Sequence, residues 1–413
     1  MQILRSSFAD SIAAMRLDRA QARIAETYDV KVGTETVALA IAVSRVLAED
    51  VTAPISLPAA DNSAIDGFAL RFDDLRVDGP SILPLHGRTP AGPSPDAALP
   101  PGCAGRIFTG AVLPSGADTV VMQEDCAVID GKLHIPQGIF RGANRRLAGE
   151  DLSHGKLALP AGRRLMPPDL ALLAALGFDS IAVRKRLRVA IFSTGNEIAT
   201  PPHPLRRGQV YDANRALLCG LLQRLQIDVV DGGILPDEAE ATKAALRTAA
   251  GNADLVITSG GVSAGEEDHV RAAIESIGRL EFWRVAIKPG HPVTLGVMDG
   301  TPLLGLPGNP VAAMVTFWAI GRPLLDRLAG ATSVPSLRLS VQCGFHHLKK
   351  SGLREYVRVQ IKPDGIAYVY PKKGTGILTS LTEGDALLEL TEELTSIRAG
   401  DFAPCIPLLS LYG

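Results

Sequence analysis

Small hydroxyl and glycine residues gather where apolar runs end. In DLVITSGGVSAGEEDHVRAAI, residues 254–274, the run closes on Ser259, Gly260, Gly261, Val262, Ser263 and Gly265, then on Glu266, Glu267 and Asp268 ahead of a helical pattern. A backbone this bare, where a strand hands over to a helix, suits a phosphate whose oxygens reach main-chain N–H groups. The acids would repel that phosphate unless a metal ion sat between them. A second loop, STGNEI, pairs Ser193, Thr194 and Gly195 with Glu197; it reads as a phosphate and metal site or as a plain strand-to-helix turn. A third, GLPGNPVAA, has Pro307, Gly308, Asn309 and Pro310, with Asn309 placed to cap the next helix. Between the first of these loops and the third lies FWRVAIKPGHP, where Arg284, Lys288 and His291 either converge on a small oxyanion or decorate a solvated strand edge.

The N-terminal half adds oxygen donors. DNSAIDGFAL supplies Asp61, Asn62, Ser63 and Asp66, a set that favours Mg²⁺ over zinc or else forms an Asx-turn network. RIFTGAVLPSGADTVVMQE adds Thr109, Gly110, Asp118 and Glu124, and GANRRLAGEDL adds Arg145, Arg146, Glu150 and Asp151.

These groups need scaffolds. Residues 187–328 alternate strand and helix patterns: LRVAIFS, then Leu217, Leu218, Leu221, Leu222 and Leu225 on one helical face; IDVVDGGIL, then an alanine-rich helix with Asp237 as its expected N-cap; DLVITSGG, then Val270, Ala273, Ile274 and Ile277; and finally TPLLGLPG before another helix. Repeated strand-helix units predict a parallel sheet covered on both faces, with ligands at the carboxyl ends of its strands. Residues 45–150, broken by glycine and proline, predict an all-β segment. LRLSVQC, EYVRVQI, IAYVYP and DALLEL predict a second β domain near the C-terminus. Helical patterns over 8–29 and 167–176 flank the first β segment, so that segment reads as an insertion.

Composition narrows the partners. With 42 Lys+Arg against 44 Asp+Glu, the chain has no global attraction for nucleic acid or an acidic membrane. Cys103, Cys126, Cys219, Cys343 and Cys405 are scattered and form no zinc-ligand spacing, which predicts reduced thiols. No signal-peptide pattern and no apolar run of spanning length is read, so a cytoplasmic protein is expected.

Taken in order with GQVYDANR, these motifs closely resemble the MoeA family of molybdopterin molybdenumtransferases, which includes the E domain of gephyrin. The resemblance implies a multidomain α/β plus β fold: a discontinuous helical, elongated domain at 1–44 and 152–185, an inserted β domain at 45–151, a three-layer α/β molybdopterin-binding domain with a parallel-rich sheet at 186–330, and a C-terminal β-barrel at 331–413. It implies an enzyme that takes adenylylated molybdopterin, Mg²⁺ and molybdate and releases AMP. Ser259–Ser263 and Gly265 resemble the pterin-phosphate loop, Glu197, Asp237 and Asp268 the metal-handling acids, Lys288 and Arg284 the anion pair, and Pro307 and Pro310 the cleft-shaping turn. Family members are homodimers, so Asp61, Asp66, Thr109 and Asp151 would complete the site from a partner subunit; passing contacts with other cofactor-biosynthesis proteins are also implied. Asn196, His291 and Thr375 depart from the usual family residues. The competing readings are a non-catalytic scaffold of the same architecture and a molybdopterin adenylyltransferase.

Overall fold

The structure, a computed structural model, describes residues 14–93, 98–262 and 269–412. The chain forms two compact units. One holds the chain up to Ala48, Ala161–Leu165 and everything from Ala182 on; the other holds Glu49–Pro160 and Met166–Ile181.

The larger unit is built on a six-stranded sheet. Its strands are β1 (Arg188–Thr194), β2 (Asp228–Leu235), β3 (Leu255–Ser259), β4 (Gly278–Trp283), β5 (Thr294–Met298) and β6 (Thr301–Leu306), arranged β2-β1-β3-β6-β5-β4. The first four strands in that order run parallel, which requires cover on both faces and hence near-continuous apolar sequence. Alternate side chains serve the two covers. Val189, Ile191, Leu255, Ile257, Leu304 and Leu306 pack with helix α1 (Ala213–Arg224) and with α4, which begins at Pro310–Thr316. Ala190, Phe192, Val256 and Leu303 pack with α2 (Ala239–Ala250) and α3 (His269–Ile277).

The expected parallel sheet is corrected at one edge, where β5 runs antiparallel to both β6 and β4. Asp299 and Gly300 both have positive φ (49° and 81°) between the paired residues Met298 and Thr301. A two-residue Asp-Gly turn of that kind folds a hairpin back on itself instead of crossing over.

Toward the C-terminus, Leu339–Cys343, Arg354–Ile361, Ile366–Val369, Ala386–Leu390 and Phe402–Pro407 pair in a closed ring, a small barrel filled by Val341, Val357, Val359, Leu388 and Cys405. Ile287–Lys288 extends it by pairing parallel to Arg354 and Glu355. The helix Leu17–Thr27 buries Leu17, Ala20 and Ile24 in the same core as Leu324, Leu325 and Leu328.

The second unit carries another six-stranded sheet, ordered Thr119–Met122, Gly67–Leu70, Ala104–Ile107, Ser81–Thr89, Lys132–Ile135 and Ala127–Ile129, around Phe68, Leu70, Leu83 and Leu133. Its helix Pro167–Ala175 starts on proline, and the Met166 N–H donates to the Asp169 carboxylate at 2.9 Å. No helix among the described residues is long and apolar enough to cross a membrane.

Candidate active site

The carboxyl ends of β1, β3 and β6 lie side by side. Ser193 is opposite Ser259, Ser259 is opposite Leu306, and the Gly260 N–H donates to the Leu306 carbonyl at 2.9 Å. Gly260 (φ 95°) and Gly261 (φ 67°) then turn the chain through conformations that side chains rarely adopt. A Cβ on Gly260 would stand 2.6 Å from Thr194 Oγ1, so Thr194 and the glycine loop fit only because the glycine is bare.

Asn214, near the start of α1, fastens this cradle. Its Nδ2 donates to Ser259 Oγ and to the Gly308 carbonyl, both at 2.7 Å. The donation occupies an acceptor position on Ser259 and leaves that hydroxyl's hydrogen to point elsewhere. Ser193 Oγ, Asn214 Oδ1 and Thr258 Oγ1 are buried without a hydrogen-bond partner. Each such atom costs about 1–3 kcal/mol, and a polar ligand at the strand ends would offset part of that cost. Asn214 was not singled out from the sequence. Its signal was DAN, where Asp212 caps α1 by accepting the Arg215 N–H at 3.0 Å.

Other expected residues take different places. Val262 has its side chain in the core (2% exposed), and its carbonyl accepts the Trp283 Nε1–H at 3.3 Å, so it anchors the loop and offers no surface. Asp237 does not cap α2, whose N-cap is Glu238; its Oδ2 accepts the Asn196 N–H at 3.0 Å and ties the second loop to the end of β2. Asn309 stands at the N-cap of α4 without a side-chain bond: its carbonyl accepts the Ala313 N–H, and the Val311 N–H is taken by Thr375 of the barrel. Pro310 follows at the first helical position and Pro307 is buried beside Leu306. Ser263, Gly265 and Asp268 lie outside the described residues.

Glu197 is exposed and folds back over Gly195 (φ 130°), where any Cβ would collide with its carboxylate. Among the described residues no three acids, histidines or cysteines gather as a metal cluster. Glu197 is exposed and Asp237 half-buried, and carboxylates are the donor type that Mg²⁺ takes, one or two at a time beside water and phosphate oxygens.

The expected cation pair is engaged separately. Lys288 Nζ is 2.8 Å from Glu355 Oε1, whereas the Arg284 guanidinium lies 4.2 Å from the centre of the Trp283 ring. Arg284 reaches that position from a backbone with φ 80°, which breaks the alternation that would have put both cations on one face. His291 is held by its own turn, with Nδ1 3.0 Å from the Val285 carbonyl.

In the second unit, Asp66 Oδ1 accepts both the N–H and the hydroxyl of Thr109 at 2.8 Å. These two bonds hold its carboxyl below the usual range. Asp61 accepts the Ala148 N–H at 2.8 Å and stands 3.5 Å from Arg145. The structure thus brings Asp61, Asp66 and Thr109 into one loop cluster. Asp151 is exposed, and its backbone N–H donates to the Leu57 carbonyl at 3.1 Å; none of the three cluster residues is bonded to it in this way.

A protein named molybdopterin molybdenumtransferase from Haemophilus influenzae is 36% identical over 417 residues, covering 97% of this chain and all of the relative. The chain belongs to the MoeA family. A relative of the same name from Nostoc is 37% identical, over 90% of this chain and 88% of that one. Residues 15–177 match the MoeA N-terminal region (domain I and II), 190–327 the probable molybdopterin binding domain, and 341–408 the MoeA C-terminal region (domain IV). The crystal structure of the molybdopterin biosynthesis MoeA protein from Pyrococcus horikoshii superimposes with a TM-score of 0.81 at 28% identity, over 96% of this chain and 100% of that one. The cradle of this MoeA chain falls within the segment matched to molybdopterin binding.

Proposed function

We infer that this chain is a molybdopterin molybdenumtransferase. The observation that carries the reading is the cradle itself: bare Gly260 and Gly261 at adjoining strand ends, with Ser193, Ser259 and Asn214 beneath them. The finer assignment is that the substrate is adenylylated molybdopterin, that molybdate is inserted with release of AMP, and that Mg²⁺ assists. Main-chain N–H groups of the glycine loop beyond Gly260, whose own N–H is taken by the Leu306 carbonyl, bind the pterin phosphate, and Ser259, oriented by Asn214, donates its hydroxyl hydrogen to it. Glu197 and Asp237, with Asp268, would hold Mg²⁺, which when bound neutralises phosphoanhydride oxygens and the departing nucleotide.

Bringing molybdate to such a ligand meets repulsion. Two like unit charges 4 Å apart at an effective dielectric of 20 oppose each other by about 4 kcal/mol, roughly a thousandfold in affinity. Lys288 and Arg284 counter that term. No protein nucleophile is needed, because placement and charge stabilisation do the work of phosphoryl chemistry.

We also propose a cytoplasmic homodimer of four-domain subunits, with Asp61, Asp66, Thr109 and Asp151 completing the partner's site. Purified protein incubated with adenylylated molybdopterin, Mg²⁺ and molybdate tests the reading. Molybdate-dependent AMP release is the expected result. ATP-dependent adenylylation of free pterin would instead make it an adenylyltransferase, and neither activity would leave a scaffold.

A further inference from the structure

Lys288 is the open end of an ion pair whose other end is sealed. Its side chain is 60% exposed, that of Glu355 only 8%. The pairing is built into the backbone, since Lys288 lies opposite Glu355 in the parallel ladder and the Arg354 N–H donates to the Ala286 carbonyl at 2.8 Å. A carboxylate so buried needs compensation beyond one mobile lysine. His347 Nε2 stands 3.2 Å from the same Oε1, at an angle that makes no hydrogen bond. Lys349, buried and donating to the carbonyls of Lys350, Glu392 and Leu394, faces Glu355 electrostatically: burial pushes its ammonium pKa down, and Glu355 is the foremost charge opposing that shift. Glu355 therefore keeps a cationic setting of its own.

We propose that Glu355 is the positioning residue for Lys288. A lysine is a point charge on a flexible stem. Fixed by one N–H to a carboxylate embedded in the C-terminal barrel, it keeps two N–H groups for a small oxyanion. The inference rests on the reading above, in which that oxyanion is molybdate, and it makes the barrel part of the catalytic machinery. If Glu355 acted only as a negative charge repelling the oxyanion, removing its charge would improve molybdate use.

The test compares Glu355→Gln, Glu355→Asp, Lys288→Met and the double variant Glu355→Gln/Lys288→Met, with thermal unfolding reporting on folding. Glu355→Gln is expected to raise the KM for molybdate about fivefold, the weight of one modest ion pair, while the KM for the adenylylated pterin stays put. In the Lys288→Met background, where molybdate binding is followed by equilibrium dialysis instead of turnover, the same change should do nothing further. An unchanged or lowered molybdate KM, or full additivity, would overturn the proposal. Should Glu355→Gln not fold, Glu355→Asp must show the same KM split in smaller measure. A second readout does not depend on turnover: acetylation of Lys288, followed by peptide mass spectrometry, should run faster in Glu355→Gln than in wild type. Equal rates overturn the pairing. A wild type that is labelled slowly yet releases no AMP overturns the functional reading and leaves the pair standing.

Discussion

Gly260 and Gly300 share a positive φ and differ in their surroundings. A Cβ on Gly300 meets nothing within 4 Å, whereas one on Gly260 meets Thr194 Oγ1 at 2.6 Å and the Thr194 carbonyl at 2.9 Å. Replacing either by alanine incurs backbone strain of about 1–3 kcal/mol, and Gly260→Ala adds the overlap with Thr194, worth about another 1–3 kcal/mol. Urea unfolding should therefore rank Gly260→Ala below Gly300→Ala, and only the first should lose pterin binding; equal midpoints would mean the loop is slack. Asp66 offers a second, electrostatic test. Its carboxyl is held low by the Thr109 N–H and then by the Thr109 hydroxyl. A group depressed in this way adds stability above its unfolded pKa of about 4, and that contribution is lost as pH falls through the lower folded value. Thr109→Val removes the hydroxyl donor and keeps the N–H, so the Asp66 titration followed by NMR should move up, toward the ordinary range. An unmoved titration would show that the hydroxyl bond is not formed in solution.

Secondary structure was the most legible part of the chain because it is written in local periodicity. The runs ending at Ser193, Leu235, Ser259 and Leu306 became β1, β2, β3 and β6, and the stripe Val270, Ala273, Ile274 became the buried face of α3. The hairpin edge was missed, although Asp299-Gly300 carries its turn chemistry, because the strand-helix rhythm invited one more crossover. Side-chain partnerships were opaque for a different reason. Asp237 reads as a cap from its neighbours, yet it answers to Asn196, and Lys288 answers to Glu355 from far along the chain; neither partner is announced within a window of local sequence. The same distinction sets the energetics of these elements. Ile257, fully buried at the centre of β3, should lose about 2–5 kcal/mol on substitution by alanine, whereas Leu339, 46% exposed on the barrel, should stay within about 0.5 kcal/mol. Asp326 takes Arg164 at 2.8 Å and Arg322 at 2.9 Å. Burial lowers the Arg164 pKa and Asp326 opposes that shift. Asp326→Ala should thus cost about 3 kcal/mol by stranding a buried cation, and a chemical-denaturation midpoint indistinguishable from wild type would contradict it.

The proposed dimer makes a demand that no single subunit can meet. If each active site joins the cradle of one subunit to Asp61, Asp66 and Thr109 of the other, two different lesions can complement each other. Lys288→Met spoils the cradle side and Asp66→Asn spoils the facing side, so either variant alone is inactive in both of its sites. Mixed in equal amounts and allowed to exchange subunits, half of the dimers would be hybrids, and in each hybrid both lesions fall in one site and leave the other intact. Activity should rise from near zero to about a quarter of wild type, the statistical limit for a two-fold symmetric assembly. A site contained in one subunit gives no recovery under the same mixing, because every chain carries a lesion of its own. The assay needs only AMP release and a size measurement showing that exchange has occurred. Exchange without recovery would place Asp66 and Lys288 of the same chain in one site, and the cross-subunit arrangement would have to be abandoned while the chemistry of the cradle stood.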